Sequence, residues 1–415
     1  MLVSFGARNY RCIRQLRANL TFAEGKAPNG YKEFTFYPFL EQAGKRVIPV
    51  LALYGANASG KTTVLESLLT LRALVLKGWH QQFFRPNRLT KDAESQLRLS
   101  SNFVSEGKYF EYAIAYSANG IESELLRCNG EMLYFIESGR WNSGLSSFKE
   151  AFDSETFRNR ALIAQTFRQI RTFLMVVAEE FPGLSAELNT AYGQFQSIVG
   201  VSGHVMPEDG LKVLSETFSG SEKEKQEQAL KLISLYLHKF DFRVKRISCR
   251  RVSLDLHTVP EALREFIDDN PWHFFTYHQN EDGQEVSFDL AEESSGTINL
   301  VGLLGLILAA LRTGKTVLVD ELDSSLHPFL VREIVKMFKS KQINKNQAQL
   351  LFTLHNTDLL DSSLLSISEV GFVEQEGYQG TSIRRIADFE SSRNVDNFRK
   401  RYLQGAYRGV PYPYI

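Results

Sequence analysis

The chain has 415 residues, enough for about two or three domains of ordinary size. The charges of its 48 basic and 48 acidic residues cancel, so no overall electrostatic field draws it to nucleic acid or to an anionic membrane. Such contacts would need a local patch of basic residues. With 43% hydrophobic and 23% charged residues, the composition excludes a mainly disordered chain.

Cysteine content and hydropathy further narrow the class of protein to which the chain can belong. Cys12, Cys128 and Cys249 are far apart in the sequence, which excludes a disulfide framework and a CxxC metal site and favours a reducing cytoplasm. The N-terminal residues alternate apolar and polar side chains, as in a strand, and do not resemble a signal peptide. The longest apolar run, residues 298–311, is shorter than the roughly 20 residues that cross a bilayer. We therefore expect a cytoplasmic protein with no membrane partner, in which this run is a buried helix.

The first 144 residues are predicted to contain strands and one helix. Asn119-Gly120 indicates a hairpin, because this dipeptide favours the tight turns that join antiparallel strands. The predicted strands cover residues 2–5, 45–54, 109–117 and 120–128, and the predicted helix covers residues 62–76.

Between residues 145 and 237 the hydrophobic spacing becomes that of helices. Apolar residues recur three and four positions apart, as at Leu230, Ile233 and Leu237. Sustained heptads do not accompany this spacing, so a long coiled coil is not expected. We interpret residues 145–237 as a helical insertion, with a loop over residues 200–220.

Strands and helices alternate in the rest of the chain. The predicted strands cover residues 243–256, 274–278, 285–290, 316–319, 349–353 and 369–373, and helices are predicted at residues 298–311, 328–338 and near Leu359. The strands at 316–319 and 349–353 contain runs of apolar residues, as expected of central parallel strands covered on both faces. An α/β fold with a parallel or mixed sheet is therefore predicted.

The sharpest functional signal is GANASGKT at residues 55–62, which matches the P-loop (Walker A) pattern G-x-x-x-x-G-K-[ST]. An apolar strand precedes it and a helix follows, so backbone N–H groups of the loop can surround phosphate oxygens. Lys61 is expected to reach the β- and γ-phosphates of ATP, and Thr62 to bind Mg²⁺. The candidate nucleotide-binding residues of this segment are Gly55, Asn57, Ala58, Ser59, Gly60, Lys61, Thr62 and Thr63.

Two adjacent carboxylates follow the predicted strand at residues 316–319, in the manner of a Walker B motif. Asp320 is expected to hold the magnesium shell, and Glu321 to orient and deprotonate the attacking water. About 260 residues separate Lys61 from Asp320, more than a compact βαβ-built domain needs. Something is therefore inserted between the two halves of the site.

Three further segments resemble motifs of ABC-type ATPases, the group that includes SMC and RecF proteins. They are a signature formed by Ser294, Ser295, Gly296 and Thr297, a D-loop at residues 322–328, and LFTLHN at residues 351–356. The signature departs from the commoner SGGQ or SGGE, but it still places hydroxyls and backbone N–H groups at a helix N-terminus. The resemblance implies a homodimer in which the signature acts in trans on ATP held by the other copy, with Asp323 at the interface.

Two single residues are further candidates for the nucleotide site. His355 follows the strand after the acidic pair, and this position implies a role at the γ-phosphate. Arg11, in the group Asn9-Tyr10-Arg11, resembles a segment of RecF-like proteins that lies near the adenine or ribose, although an exposed strand end is an equal interpretation. A Gln switch cannot be placed, since Gln96 is the only candidate before a strand-like segment.

Over most of its length the chain resembles the RloA/AbiLi-like ATP-binding proteins. These are ABC-type ATPases of bacterial abortive-infection and antiphage defence loci, related to the ATPase half of the OLD nucleases. The segments that carry the resemblance are NYRCI, GANASGKT, IESEL, KFDFRVKRI, EESSGT, VDELDSSLHP, LFTLHN and RYLQGAYRGVP. It implies ATP and Mg²⁺ as cofactors, a homodimer or higher oligomer, and a separately encoded effector, often a nuclease or toxin.

The resulting division is an ABC-type ATPase head from residues 1–144 and 238–385, the helical insertion at 145–237, and a C-terminal tail at 386–415. We expect the aromatic end of the tail to form no regular element and to dock on its own domain or on a partner. The alternative is a RecF- or SMC-like DNA-repair ATPase, which shares every motif. Basic clusters at 239–251 and 393–408 make nucleic-acid binding possible, although the net charge does not indicate it.

Overall fold

A computed structural model describes residues 1–23, 46–90, 96–137, 140–143, 170–201, 223–240, 243–251, 272–324, 326–377, 380–389 and 397–407. Three sheets and seven α-helices make up this part of the chain. The strands are β1 (Leu2–Tyr10), β2 (Ile13–Asn19), β3 (Val50–Tyr54), β4 (Leu97–Ser105), β5 (Lys108–Ser117), β6 (Gly120–Cys128), β7 (Glu131–Glu137), β8 (Arg140–Ser143), β9 (Ile198–Val201), β10 (Arg246–Arg251), β11 (Trp272–Gln279), β12 (Glu285–Asp289), β13 (Thr316–Val319), β14 (Gln349–Thr353), β15 (Val370–Gln375) and β16 (Thr381–Arg385). The helices are α1 (Lys61–Lys77), α2 (Phe173–Glu180), α3 (Ala186–Gln196), α4 (Lys223–Phe240), α5 (Ser295–Thr313), α6 (Pro328–Lys339) and α7 (Phe398–Leu403).

The central sheet has six strands in the order β16-β15-β3-β14-β13-β9. All neighbours are parallel except β15 and β16, so the predicted mixed sheet is confirmed. Every residue of β3, β13 and β14 is buried, which explains why these strands lack polar alternation. Successive side chains point to opposite faces, so one face packs against α1 and the other against α5 and α6.

A seven-stranded antiparallel sheet, in the order β2-β1-β4-β5-β6-β7-β8, covers α1 on its far side. The predicted hairpin at Asn119-Gly120 is confirmed, since Ser117 pairs with Gly120 and β5 and β6 continue antiparallel from there. A third, smaller sheet, β10-β11-β12, packs its inner face on α4 and α5. Residues 252–256 of the strand predicted at 243–256 lie outside the described residues.

The predicted helical insertion contains α2, α3 and most of α4, but it is not helical throughout. Its strand β9 pairs in parallel with β13, with Val199 opposite Val317. The sequence IVGV is too short for its period to distinguish strand from helix, and its glycine favoured a loop. The loop predicted from residue 200 therefore begins inside a strand of the central sheet. Residues 145–169 and 202–222 lie outside the described part, and the domain boundaries stay a prediction.

A buried carboxylate joins this segment to the seven-stranded sheet. Glu124 of β6 accepts hydrogen bonds from the hydroxyls of Tyr112 (2.9 Å) and Tyr134 (2.7 Å). It also accepts the backbone N–H groups of Phe173 (2.6 Å) and Leu174 (3.1 Å), at the N-terminus of α2. Burial raises the pKa of the Glu124 carboxyl, and these four donors oppose that shift. The segment IESEL thus has a structural role, because its second glutamate anchors a helix.

Replacing this carboxylate by its amide tests the anchor. We expect Glu124→Gln to lower the free energy of unfolding by about 2–3 kcal/mol, because one amide N–H would point at a buried backbone donor and leave it unpaired. Urea unfolding followed by circular dichroism measures the change. Glu122→Gln, at an exposed position of the same strand, is the matched control and should stay within about 0.5 kcal/mol of wild type. Equal stability of the two variants would contradict the anchor.

The C-terminal tail docks on the central sheet. The rings of Tyr402 and Tyr407 stack on Phe372 of β15, at centroid distances of 5.0 and 5.1 Å. The expected docking on the protein's own domain is therefore confirmed for these two tyrosines, while Tyr412 and Tyr414 lie outside the described residues. The expectation that the aromatic end forms no regular element is wrong for residues 401–403, which form the last turn of α7.

Helix α5 has the length and hydropathy of a membrane span, but 61% of its most apolar 18-residue window is buried inside the molecule. Its apolar residues pack against β13, α6, α4 and the smallest sheet. The predicted buried helix is confirmed.

Candidate nucleotide-binding site

The P-loop runs from the end of β3 to the start of α1 and requires glycine at both ends. Gly60 has a φ of 101°, and a Cβ atom there would lie 2.5 Å from the Thr381 hydroxyl. A Cβ atom at Gly55 would lie 2.3 Å from the carbonyl oxygen of Val373. The loop therefore curves closely against β15 and β16. Its Ser59 hydroxyl is buried and has no hydrogen-bond partner among the described residues.

An open cleft of about 590 Å³ lies over this loop. Lys61 extends along it, donating to the carbonyl oxygens of Gly55 (2.8 Å) and Ala56 (3.2 Å). Burial lowers the pKa of the Lys61 ammonium, and the carboxylates of Asp320, Glu321 and Asp323 oppose this shift. The residues that line the cleft are Cys12, Asn57, Ala58, Ser59, Gly60, Lys61, Thr62, Thr63, Glu321 and His355.

Asp320 meets the P-loop directly, as the two sequence motifs predict. Its Oδ2 accepts a hydrogen bond of 2.7 Å from the hydroxyl of Thr62, 258 residues away in the chain. Its Oδ1 accepts one of 2.6 Å from the hydroxyl of Thr353 at the end of β14. Asp320 itself is 5% exposed. The adjacent hydroxyl and carboxylate oxygens of Thr62 and Asp320 are the hard ligands that Mg²⁺ prefers, so the donor set fits this ion.

Glu321 and His355 both line the cleft, and Asp323 is bonded to the backbone of His355. The His355 Nε2 atom lies 3.1 Å from Glu321 Oε1. Asp323 Oδ2 accepts the backbone N–H groups of His355 (2.9 Å) and Asn356 (2.5 Å), so the D-loop is tied to the segment after β14. The structure therefore brings the acidic pair, the D-loop and the histidine together beside the P-loop.

Arg11 is placed differently from the expectation. Its guanidinium pairs with the carboxylate of Glu66 on α1, and Arg11 is not among the residues that line the cleft. Its neighbour Cys12 lines the cleft instead, because the β1–β2 turn directs that side chain to the P-loop. Gln96 bonds Glu122 and Arg98 and does not line the cleft either.

The signature residues begin α5, with Ser294 as its N-cap: the Ser294 hydroxyl accepts the N–H of Thr297 at 3.2 Å. Ser294 and Ser295 are exposed, and among the described residues that line the cleft none belongs to the signature. Within one copy, then, the signature and the P-loop do not share a cleft.

Residues 50–361 match a family model described as "AAA domain, putative AbiEii toxin, Type IV TA system". The match covers three quarters of the chain, from β3 to beyond His355, and includes the P-loop, signature and acidic pair. The protein belongs to this AAA domain family. The sequence-based prediction of a P-loop ATPase domain is thereby confirmed. Members of such ATPase families use ATP and typically Mg²⁺.

Comparison with solved structures adds distant neighbours of this chain. Three SMC head structures each share 12% identity and cover 92% of this chain. The first is an SMC head bound to the C-winged helix domain of ScpA, with 97% of that chain covered and a TM-score of 0.46. The second is the SMC head domain from Thermotoga maritima, with 98% covered and a TM-score of 0.41. The third is an SMC head with an extended coiled coil bound to the C-terminal domain of ScpA from Pyrococcus furiosus, with 96% covered and a TM-score of 0.44. We infer no function from them. A search of curated proteins finds no match.

Three residues of the AAA domain site were not predicted from the sequence. Cys12 lines the cleft, Thr353 bonds Asp320, and the Thr381 hydroxyl lies 3.1 Å from the carbonyl oxygen of Ser59 and 3.2 Å from Cys12 Sγ. Thr381 thus joins β16 to the P-loop. Thr353 stands inside the segment LFTLHN, and its position before the histidine is the only sequence signal that marks it.

Proposed function

We propose that the protein hydrolyses ATP as an ABC-type ATPase. The observation that carries this proposal is the cleft lined by Lys61, Thr62, Glu321 and His355, which come from segments far apart in the chain. Asp320 adjoins this cleft through its hydrogen bond to Thr62. Thr62 and Asp320 would hold Mg²⁺, which supplies positive charge to the phosphate oxygens. Glu321 has an acceptor oxygen for the proton of an attacking water, and His355 holds its carboxylate in place.

The direct test is ATP hydrolysis by the purified protein. We expect phosphate release that depends on Mg²⁺ and stops when EDTA is added, because the oxygen ligands of Thr62 and Asp320 require the ion to bind the phosphates productively. Released phosphate is measured over time with the Thr62→Ala variant as a comparison. Hydrolysis of equal rate with EDTA, or in Thr62→Ala, would contradict the assignment.

We further propose that two copies close on ATP, with the signature of one facing the P-loop of the other. The exposure of Ser294 and Ser295, and their separation from the cleft of their own chain, support this arrangement. The backbone N–H groups at the start of α5 suit the negative charge of a γ-phosphate. Asp323 would then lie at the subunit interface.

Mixing two inactive variants distinguishes this arrangement from action within one chain. Lys61→Ala removes the P-loop lysine and Gly296→Asp places a negative charge in the signature, so each homodimer should be inactive. A 1:1 mixture should recover about a quarter of wild-type ATPase activity, because half of the dimers then contain one intact composite site of two. The control mixture, Lys61→Ala with Asp320→Ala, carries both changes on the P-loop side and should stay inactive. Failure of the first mixture to recover, with mixed dimers present, would contradict action in trans.

As its biological role we propose a cytoplasmic sensor or regulatory scaffold for a separately encoded effector, a nuclease or toxin, in antiphage defence. The resemblance to RloA/AbiLi-like proteins and the toxin–antitoxin description of the family support this role. The test is purification from the native locus with ATP present, followed by mass spectrometry. A stoichiometric effector encoded next door is expected. Recovery of DNA or repair factors without such a partner would favour the RecF- or SMC-like alternative.

A further inference from the structure

Thr353 is the last residue of β14 and is fully buried. Its hydroxyl oxygen accepts the backbone N–H of Glu321 at 2.6 Å and donates to Asp320 Oδ1, also at 2.6 Å. Its carbonyl oxygen accepts the backbone N–H of Leu322 at 3.1 Å. The side chain and the backbone carbonyl group of Thr353 therefore hold three consecutive residues, Asp320, Glu321 and Leu322.

These contacts act on a residue in an unfavourable conformation. Glu321 has a φ of 51°, in the left-handed region that residues with a side chain rarely adopt. The peptide groups before and after its Cα atom both donate to Thr353, so the conformation is held on two sides. In this conformation the Glu321 carboxylate reaches His355. Strain of this kind persists only where the surroundings over-determine it.

The hydroxyl also has only one consistent orientation. Because the Glu321 N–H can only donate, the Thr353 oxygen must accept it, and the hydroxyl hydrogen is left to donate to Asp320. Thr62 donates to the other oxygen of the same carboxylate. Asp320 is thus fixed from both sides, by the P-loop on one oxygen and by β14 on the other.

We propose that Thr353 is a positioning residue that sets the geometry of both carboxylates, the magnesium ligand Asp320 and the general base Glu321. This inference rests on the proposed ATPase function. Thr353 does not line the cleft, so it acts through the two residues that it holds. A valine of the same shape would fill the same buried space but would remove the acceptor of the Glu321 N–H and the donor to Asp320 Oδ1.

The test compares Thr353→Val with Thr353→Ser, which keeps the hydroxyl. At saturating Mg²⁺ we expect the valine variant to lower kcat at least about tenfold with the KM for ATP within about twofold of wild type, because the ion then still occupies its site and the displaced base slows the chemical step. The serine variant should restore kcat to within about threefold of wild type. Thr316→Val is the matched control, since Thr316 is buried at the opposite end of β13, away from the acidic pair.

A second measurement does not depend on turnover. The Mg²⁺ concentration for half-maximal binding of a fluorescent ATP analogue should rise several-fold in Thr353→Val and stay unchanged in Thr353→Ser. Wild-type kcat and Mg²⁺ dependence in the valine variant, or equal losses in Val and Ser, would overturn the positioning role. Absence of hydrolysis in the wild type would defeat the proposed function instead, and the Mg²⁺ titration would still decide the role of Thr353.

Discussion

A Glu321→Gln variant is expected to bind ATP and Mg²⁺ but to hydrolyse ATP about 10²–10⁴-fold more slowly than wild type, the usual contribution of a general base. The amide has the shape of the carboxylate and can still contact His355, but it cannot take a proton from water. Single-turnover phosphate release measures the loss. Because ATP then remains bound, size-exclusion chromatography with ATP should show more of the closed dimer than in wild type.

The control for this variant is Glu333→Gln, at a half-exposed position on α6 where the carboxylate forms an ion pair with Lys336. It should keep wild-type turnover, since exposed pairs of this kind contribute little. Turnover of Glu321→Gln at the wild-type rate would show that the base is another residue.

A Lys61→Ala variant is expected to lose nucleotide binding or turnover, with an affinity for ATP about 10²–10³-fold weaker. Lys61 is held at the loop by two backbone carbonyls, and it lines the cleft over the P-loop. Burial disfavours that charge unless an anion is near, so bound phosphate and Lys61 stabilise each other. Fluorescence titration with an ATP analogue measures the affinity.

Lys77→Ala provides the matched control for this second variant. Lys77 is exposed at the other end of the same helix, and its removal should leave ATP affinity within about twofold of wild type. Far-UV circular dichroism of both variants establishes that they are folded. Wild-type affinity and turnover in Lys61→Ala would contradict the P-loop assignment.

The sequence predicted those parts of the fold whose signals are local. β13 and β14 were predicted with their observed bounds, because a short apolar run between polar residues is typical of a buried parallel strand. β9 was missed, since four residues with a glycine contain no readable period. Whether a strand joins a sheet then depends on the neighbour that it meets, here β13, more than a hundred residues later.

The same distinction applies to the site. The P-loop and acidic pair have fixed spacings that follow from their chemistry, so Lys61 and Asp320 could be found without a structure. The pairing of Arg11 with Glu66 could not be predicted, because Glu66 lies on a helix face that only the packing of α1 brings near. The role of Thr353 could not be predicted from its place in LFTLHN, because the two residues that its hydroxyl bonds, Asp320 and Glu321, are more than thirty residues away in the chain.

The place of β3 in the central sheet has a consequence for biosynthesis. β3 carries the P-loop, yet its two neighbours are β14 and β15, which the ribosome makes about 300 residues later. The antiparallel strands β4 to β8 pair with sequence neighbours and can form hairpins as they emerge. During translation, β3 and the nucleotide loop that follows it therefore lack their partner strands until the C-terminal third of the chain has been made. Throughout that time β3 is an unpaired and wholly apolar strand. For that interval the unpaired β3 is a strand edge of the kind that favours aggregation of a nascent chain.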